Sequence, residues 1–321
     1  MSNSPKKIGL ALGSGAARGW AHIGVINALE ELGVRIDCVA GTSIGALVGS
    51  AYAGGKLKAL EDIALKLDRR MLLSFIDPGF SNSGLIDGGR LAEFIRENVD
   101  IGDIEKFPVS FRAVSTDILR GEEVVIDKGD VIEAIRSSIS IPGIFTPVKS
   151  GDTLLVDGAL VNPLPVSVAR DMGADFVIAV DVNYGTQEFP GVKEKKKLKI
   201  PSTESRSEED DVEYTPDTPW EKMLAKLGGN VARFEHMVRT HLDEIIEFRQ
   251  LPNIFEVLLA SYNILEVQIT ETRLKSDKPD VLLRPGCARL GFLDLDQARE
   301  AIDKGYRSVM DQRDEFPLDT G

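Results

Sequence analysis

Along the first half of this chain, apolar and polar positions follow two rhythms in turn. Short unbroken apolar runs of strand length are followed by stretches in which apolar residues recur every three or four positions. Residues 7–12 form the first run and residues 18–32 the first helical stretch, with Gly33 placed to end that helix as a C-cap. Residues 34–40 form a second run, followed by a turn and another helix. Further strand-length runs lie at residues 109–115, 123–127, 154–156 and 176–182, with helical stretches at 129–138 and 163–172 between them. Pro163 suits the first turn of the last of these helices. Such alternation predicts βαβ units, and right-handed crossovers put helices on both faces of the sheet. The expected fold is α/β, a three-layer α/β/α sandwich around a mainly parallel central sheet.

The rhythm stops after residue 190. Lys193, Lys195, Lys196, Lys197 and Lys199 form a basic cluster, Glu204 and residues 208–211 an acidic one, and Pro201, Pro216 and Pro219 punctuate the run. So few apolar residues cannot offset the entropy of ordering the chain, so residues 191–219 read as a charged, disordered loop. A solvated insertion is the default for such a stretch, with a regulatory or lid role as the alternative. Helical spacing resumes at Trp220, Leu224, Leu227, Val231, Phe234, Val238, Leu242 and Ile245. A second helix follows at about residues 255–270, and then PDVLLRP, an apolar run expected to add a strand to the main sheet. The organisation expected is therefore a domain of residues 1–190, the loop 191–219, and a C-terminal helical region of residues 220–321.

Composition narrows the function. The chain has 321 residues, 43% of them hydrophobic, which is enough for a sizeable core. Its net charge of −13 repels nucleic-acid phosphates, so no nucleic-acid partner is expected. Two cysteines, Cys38 and Cys287, make no disulfide framework and read as reduced thiols of a cytoplasmic protein. Three histidines, His22, His236 and His241, leave little material for a zinc site, and no metal is expected. Lys6 and Lys7 before an apolar stretch imitate a leader, but Gly and Ser interrupt that stretch. Residues 38–55 carry no charge over 18 positions, yet eight of these are Gly, Ser or Thr, so strand, turn and packed helix is the better reading than a membrane span.

Three segments carry chemistry. Gly41-Thr42-Ser43-Ile44-Gly45 has the form G-x-S-x-G between a predicted strand and a predicted helix, the context of a nucleophile elbow. Glycine at Gly41 and Gly45 would relieve clashes in so sharp a turn, and the helix would point its positive end at Ser43. The same pattern also occurs as an ordinary strand–helix turn. Upstream, residues 12–19 (LGSGAARG) form a small-residue loop between strand and helix. Its amides suit a phosphate or an oxyanion, but Arg18 stands where a dinucleotide fingerprint needs its third glycine. Asp157-Gly158-Ala159 ends a short apolar strand, where a carboxylate could serve as base to a serine; a plain Asp-Gly turn is the commoner use of that pair.

Together, ALGSGAARGWAHIGV, GTSIGAL and VDGAL resemble the patatin-like phospholipases, in that family's order and over roughly residues 7–182. The resemblance implies a lipid acyl hydrolase with no cofactor and no metal requirement, acting on a lipid or acyl-ester substrate with transient membrane-surface contact. It makes residues 1–190 the catalytic domain, Ser43 the nucleophile, Asp157 the base, and Gly15, Ala16, Ala17 and Arg18 the oxyanion loop. Gly158 and Ala159 then form the dyad loop. The family's three consecutive loop glycines are here Ser14, Gly15 and Ala16, so Ala16 must take a backbone conformation that suits an L-residue.

Other residues read as structural. His22 is expected to be a packed or hydrogen-bonded helix residue, Arg18 to orient its loop, and Ser140-Ile141-Pro142-Gly143 to be a support. The apolar cluster Met71, Leu72, Leu73, Phe75, Ile76 and Phe80 is expected to be core before it is an acyl channel. Two other functions stay open. One is an α/β-hydrolase triad of Ser43, Asp157 and His236 or His241; the other is a lipid- or nucleotide-binding module without turnover.

Overall fold

The computed structural model describes residues 7–68, 71, 75, 84–99, 102–186 and 254–317. Four strands, β1 (Ile8–Leu12), β2 (Cys38–Thr42), β4 (Ser110–Asp117) and β9 (Phe176–Val180), and a C-terminal strand, β10 (Val281–Leu283), run parallel in the order β10-β9-β1-β2-β4. Such strands are covered on both faces, which is why they read as continuous apolar runs. Leu10, Leu12, Val39, Ile178 and Val180 point to one face, and Ala11, Cys38, Ala40, Val177 and Ala179 to the other.

The first face packs on α1 (Ala21–Glu31), α2 (Ile44–Ala53), α3 (Leu57–Ala64), α4 (Gly89–Val99), α5 (Val131–Ser138) and the C-terminal α8 (Ala298–Met310). The second packs on α6 (Val166–Asp171). The three-layer α/β/α arrangement expected from the pattern is thus the one observed. A further helix, α7 (Ile254–Arg273), precedes β10. Apart from residues 254–257 at its start, the described residues belong to one compact unit; a second unit, residues 191–257, lies almost wholly outside them.

Three strands run antiparallel, and one of them builds the site. Strand β5 (Glu122–Ile126) pairs with Ala113 to Asp117 of β4, and β7 (Val148–Ser150) pairs with β8 (Thr153–Asp157). Strand β8 pairs with Ser115 to Asp117 of β4. Since β5 occupies one edge of β4 along that stretch, β8 must take the other edge, the one β2 uses for Ser110 to Val114. Strands β2 and β8 therefore meet end to end along a single edge of β4. Thr42, the last residue of β2, faces Val114, and Asp157, the last of β8, faces Ser115. Two strands, β3 (Gly84–Ile86) and β6 (Gly143–Phe145), form a small separate parallel pair.

Of the expected elements, the loop 191–219 and the helix of residues 220–245 lie outside the described residues, as do Leu72, Leu73, Ile76 and Phe80. Phe75 is half-buried, its ring 4.7 Å from that of Phe94. No described helix is long and apolar enough to cross a membrane.

Candidate active site

Ser43 occupies the turn between β2 and α2 with φ 56° and ψ −122°. Few non-glycine residues adopt such a backbone, and holding one there costs about 1–3 kcal/mol. The surroundings explain how it is held. A Cβ at Gly41 would strike the backbone of Gly45, and a Cβ at Gly45 would strike the carbonyl of Leu12, so both positions require glycine. The amide of Ser43 donates to Ser138 Oγ (2.8 Å), and Ser138 in turn donates to the carbonyl of Val114 (2.6 Å). Residues at the end of α5 thus pin the elbow to β4.

The end-to-end strands deliver the partner. Ser43 Oγ donates to Asp157 Oδ2 at 2.6 Å. The other carboxylate oxygen accepts the amide of Ala159 (2.9 Å), a turn allowed because Gly158 passes against the carbonyl of Val114 with no room for a Cβ. The backbone of Asp157 is fixed on both sides: its amide donates to the carbonyl of Ser140 (2.9 Å) and its carbonyl accepts Thr116 Oγ1 (2.8 Å). The segment Ser140 to Gly143 is, in this respect, the support it was read as. Burial pushes the Asp157 carboxyl up to about 6, against the opposing pull of Ser43, the Ala159 amide and the Tyr262 hydroxyl.

The small-residue loop runs beside the elbow. Gly15, at φ 153°, lies so close to Val182 that no other residue fits. Ala16 has φ 47°, in the left-handed region, so this L-residue does take the conformation a glycine would take there. The loop's amides divide into two sets. Those of Gly13, Ser14, Ala17 and Arg18 donate to the carbonyls of Val180, Pro163, Phe292 and Gly15. The amides of Gly15 and Ala16 have no acceptor among the described residues. His22 Nε2 donates to the carbonyl of Gly13 (2.8 Å), and burial lowers its pKa to about 4, so it is a neutral brace for the loop.

A family model described as patatin-like phospholipase matches residues 10–170, half of the chain. The chain belongs to the patatin-like phospholipase family. It is 42% identical over 189 residues to an uncharacterised NTE family protein of Mycobacterium tuberculosis, covering 59% of this chain and 52% of that one. It is 32% identical over 189 residues to the lysophospholipase NTE1 of Pyricularia oryzae, covering 58% of this chain and 13% of that one. The chain thus spans about half the length of its mycobacterial relative. Among solved structures, VipD of Legionella pneumophila overlays with a TM-score of 0.42 at 14% identity, covering 97% of this chain and 67% of that one.

In this patatin-like chain Arg18 is buried and committed to the protein. Its Nε donates to the carbonyl of Leu290 (3.0 Å) and its Nη1 to Asn183 Oδ1 (2.7 Å) and Asn263 Oδ1 (2.8 Å). It therefore ties the loop to the segments after β9 and β10 and to α7.

Helix α7 adds residues that pattern reading did not single out. Tyr262 and Glu266, one turn apart, are buried against Asp157 and the small-residue loop. Burial raises the Tyr262 phenol well above its usual value, helped by the neighbouring Asp157 and Glu266 carboxylates. Burial likewise raises Glu266 to about 8, with Asp157 adding to the shift and Ser14 and Arg18 opposing it. Their signal in the sequence was a polar stripe, Tyr262, Asn263, Glu266 and Thr270, on one face of a helix. His236 and His241 lie outside the described residues.

Proposed function

We propose that this protein is a lipid acyl hydrolase working through a Ser43–Asp157 dyad and an acyl-enzyme. The observation that carries the reading is the 2.6 Å hydrogen bond from Ser43 Oγ to a buried carboxylate, at an elbow beside two amides without acceptors. Asp157 takes the Ser43 proton as Oγ attacks the ester carbonyl. The carbonyl oxygen becomes an oxyanion held by the amides of Gly15 and Ala16, with the positive end of α2 behind Ser43. Collapse breaks the ester bond, and the leaving alkoxide takes the proton from Asp157. Water then repeats the sequence on the acyl-enzyme, giving its proton to Asp157 and releasing the fatty acid as Ser43 recovers its hydrogen.

Lipid esters are the favoured class because relatives in the family carry phospholipase and lysophospholipase names. Glu266, neutral near pH 7, leaves Asp157 as the ionised carboxylate of the pair. The base must be ionised, so kcat/KM is expected to rise with pH through about 6 and level off above it.

A fluorophosphonate probe tests the nucleophile. Wild-type protein is expected to gain one adduct, mapped to Ser43, and Ser43→Ala none. A folded wild type that takes no adduct would favour a binding module without turnover. Replacing His236 and His241 together should leave turnover in place, because Asp157 already accepts the Ser43 proton. Loss of turnover in that folded variant would favour a triad.

A further inference from the structure

We propose that α7, from Leu258 onward, is a cover over the Ser43–Asp157 site that a net-neutral lipid surface displaces. The proposal builds on the acyl-hydrolase reading, because it explains how an acyl chain reaches Ser43.

Helix α7 crosses the mouth of the site from one side to the other. Leu258 lies against Gly143, in the segment that supports Asp157. Tyr262 and Glu266 face Asp157, Asn263 binds Arg18, and Arg273 donates to Asn162 Oδ1 (3.1 Å) beyond the dyad loop. Under this helix Ser43 keeps 5% of its surface and Asp157 none, so no acyl ester reaches the hydroxyl until something moves.

The inward side of α7 is unusually polar: Tyr262, Asn263, Glu266 and Thr270 are buried there beside Val267. Its outward side leaves Ile264 and Leu265 about half exposed, among the polar Ser261 and Gln268, and Leu258 at its edge is half exposed too. Large apolar side chains kept out of the core next to a site suit a partner surface. The inward side is also loosely held. Tyr262 Oη faces Asp157 and Glu266 faces Ser14 Oγ, but none of these buried groups reaches good hydrogen-bond geometry. A closed cover held by poorly formed polar contacts gives up little by opening.

The occupant follows from what surrounds that face. The hairpin after β4 exposes Ile118 and Leu119 at the carboxyl end of the sheet, where Ser43 emerges. Tyr184 after β9 and Leu293, next to the Phe292 carbonyl that holds the oxyanion loop, are exposed at the same end. Exposed apolar side chains thus stand both on the outward side of α7 and at the end of the sheet where Ser43 emerges. Such a set fits a membrane surface, and a net charge of −13 selects headgroups without net negative charge.

The test uses Ile264→Cys labelled with bimane; Cys38 and Cys287 are buried, which keeps the label selective. Phosphatidylcholine vesicles are expected to shift the emission to the blue, and to speed both amide exchange over residues 262–270 and fluorophosphonate capture by about tenfold or more. In the labelled protein, Leu265→Ser should weaken these responses and keep the lipid-free capture rate. No emission shift overturns lipid docking. A label already in an apolar setting without lipid means another segment or a second copy covers the face, and also overturns it. A shift with unchanged exchange overturns the cover. If no probe adduct forms in any condition, the nucleophile reading fails, while emission and exchange still decide this proposal.

Discussion

The floor and the roof of this site are built in opposite ways. On the floor, the elbow amide, both carboxylate oxygens of Asp157, and its backbone amide and carbonyl each have a named partner at 2.6–2.9 Å. Glycines at Gly41 and Gly45 allow backbone contacts that no larger residue could share. On the roof, Tyr262 and Glu266 of α7 are equally buried, but Tyr262 Oη and Glu266 Oε2 reach no partner in good hydrogen-bond geometry. The strained serine needs an unyielding floor, because left-handed backbone persists only where its neighbours over-determine it. The roof has no strain to hold and makes only poorly formed polar contacts, as suits a part that opens.

If the floor is rigid, the largest response should come from breaking it. Gly45→Ala drives a methyl into the carbonyl of Leu12, with expected destabilisation of about 3 kcal/mol or more in urea unfolding and loss of turnover. Wild-type stability in that variant would mean that the floor yields.

Changing the roof should act in the opposite direction. The folded protein keeps a proton on Glu266 up to about 8, whereas the unfolded chain releases it near 4.5, so wild-type stability falls as pH rises between these values. Glu266→Gln removes that penalty and is expected to gain about 1–3 kcal/mol at neutral pH, with no gain below about pH 4.5. Parallel stability-versus-pH curves for the two proteins would show that Glu266 is ionised, and the roof open, in solution.

The smallest effect belongs to the loop between them. Ala16→Gly relieves about 1 kcal/mol of left-handed strain but adds a similar amount of unfolded-chain entropy, so stability should change by less than about 1 kcal/mol. A turnover loss beyond about tenfold would give the Ala16 methyl a role in the site.

Most of the floor was legible in the chain itself. The elbow announces itself because a strand, two glycines and a helix leave few other ways to turn at Ser43. Gly15 and Asp157 were legible through the resemblance of their segments to a family. The way Asp157 reaches Ser43 was not, since it depends on β8 running antiparallel onto the edge of β4 that β2 vacates, a pairing between residues far apart in sequence. Strands β3, β6 and β7 escaped notice because each is three residues long with no all-apolar run like the VLL of β10 to mark it. The roof was read only as a helix near residues 255–270. Apolar and polar residues mix on both of its sides, so spacing alone did not show that Tyr262, Asn263, Glu266 and Thr270 turn inward.

The claim on which this account depends is that Asp157 takes the Ser43 proton during acyl transfer. The direct measurement is kcat of purified Asp157→Asn on an ester substrate, with thermal unfolding in parallel to show an intact fold. The amide keeps the shape but cannot accept that proton, so a drop of about 10³–10⁴ in kcat at undiminished stability is expected. A folded Asp157→Asn protein that turns over within about tenfold of wild type would contradict it.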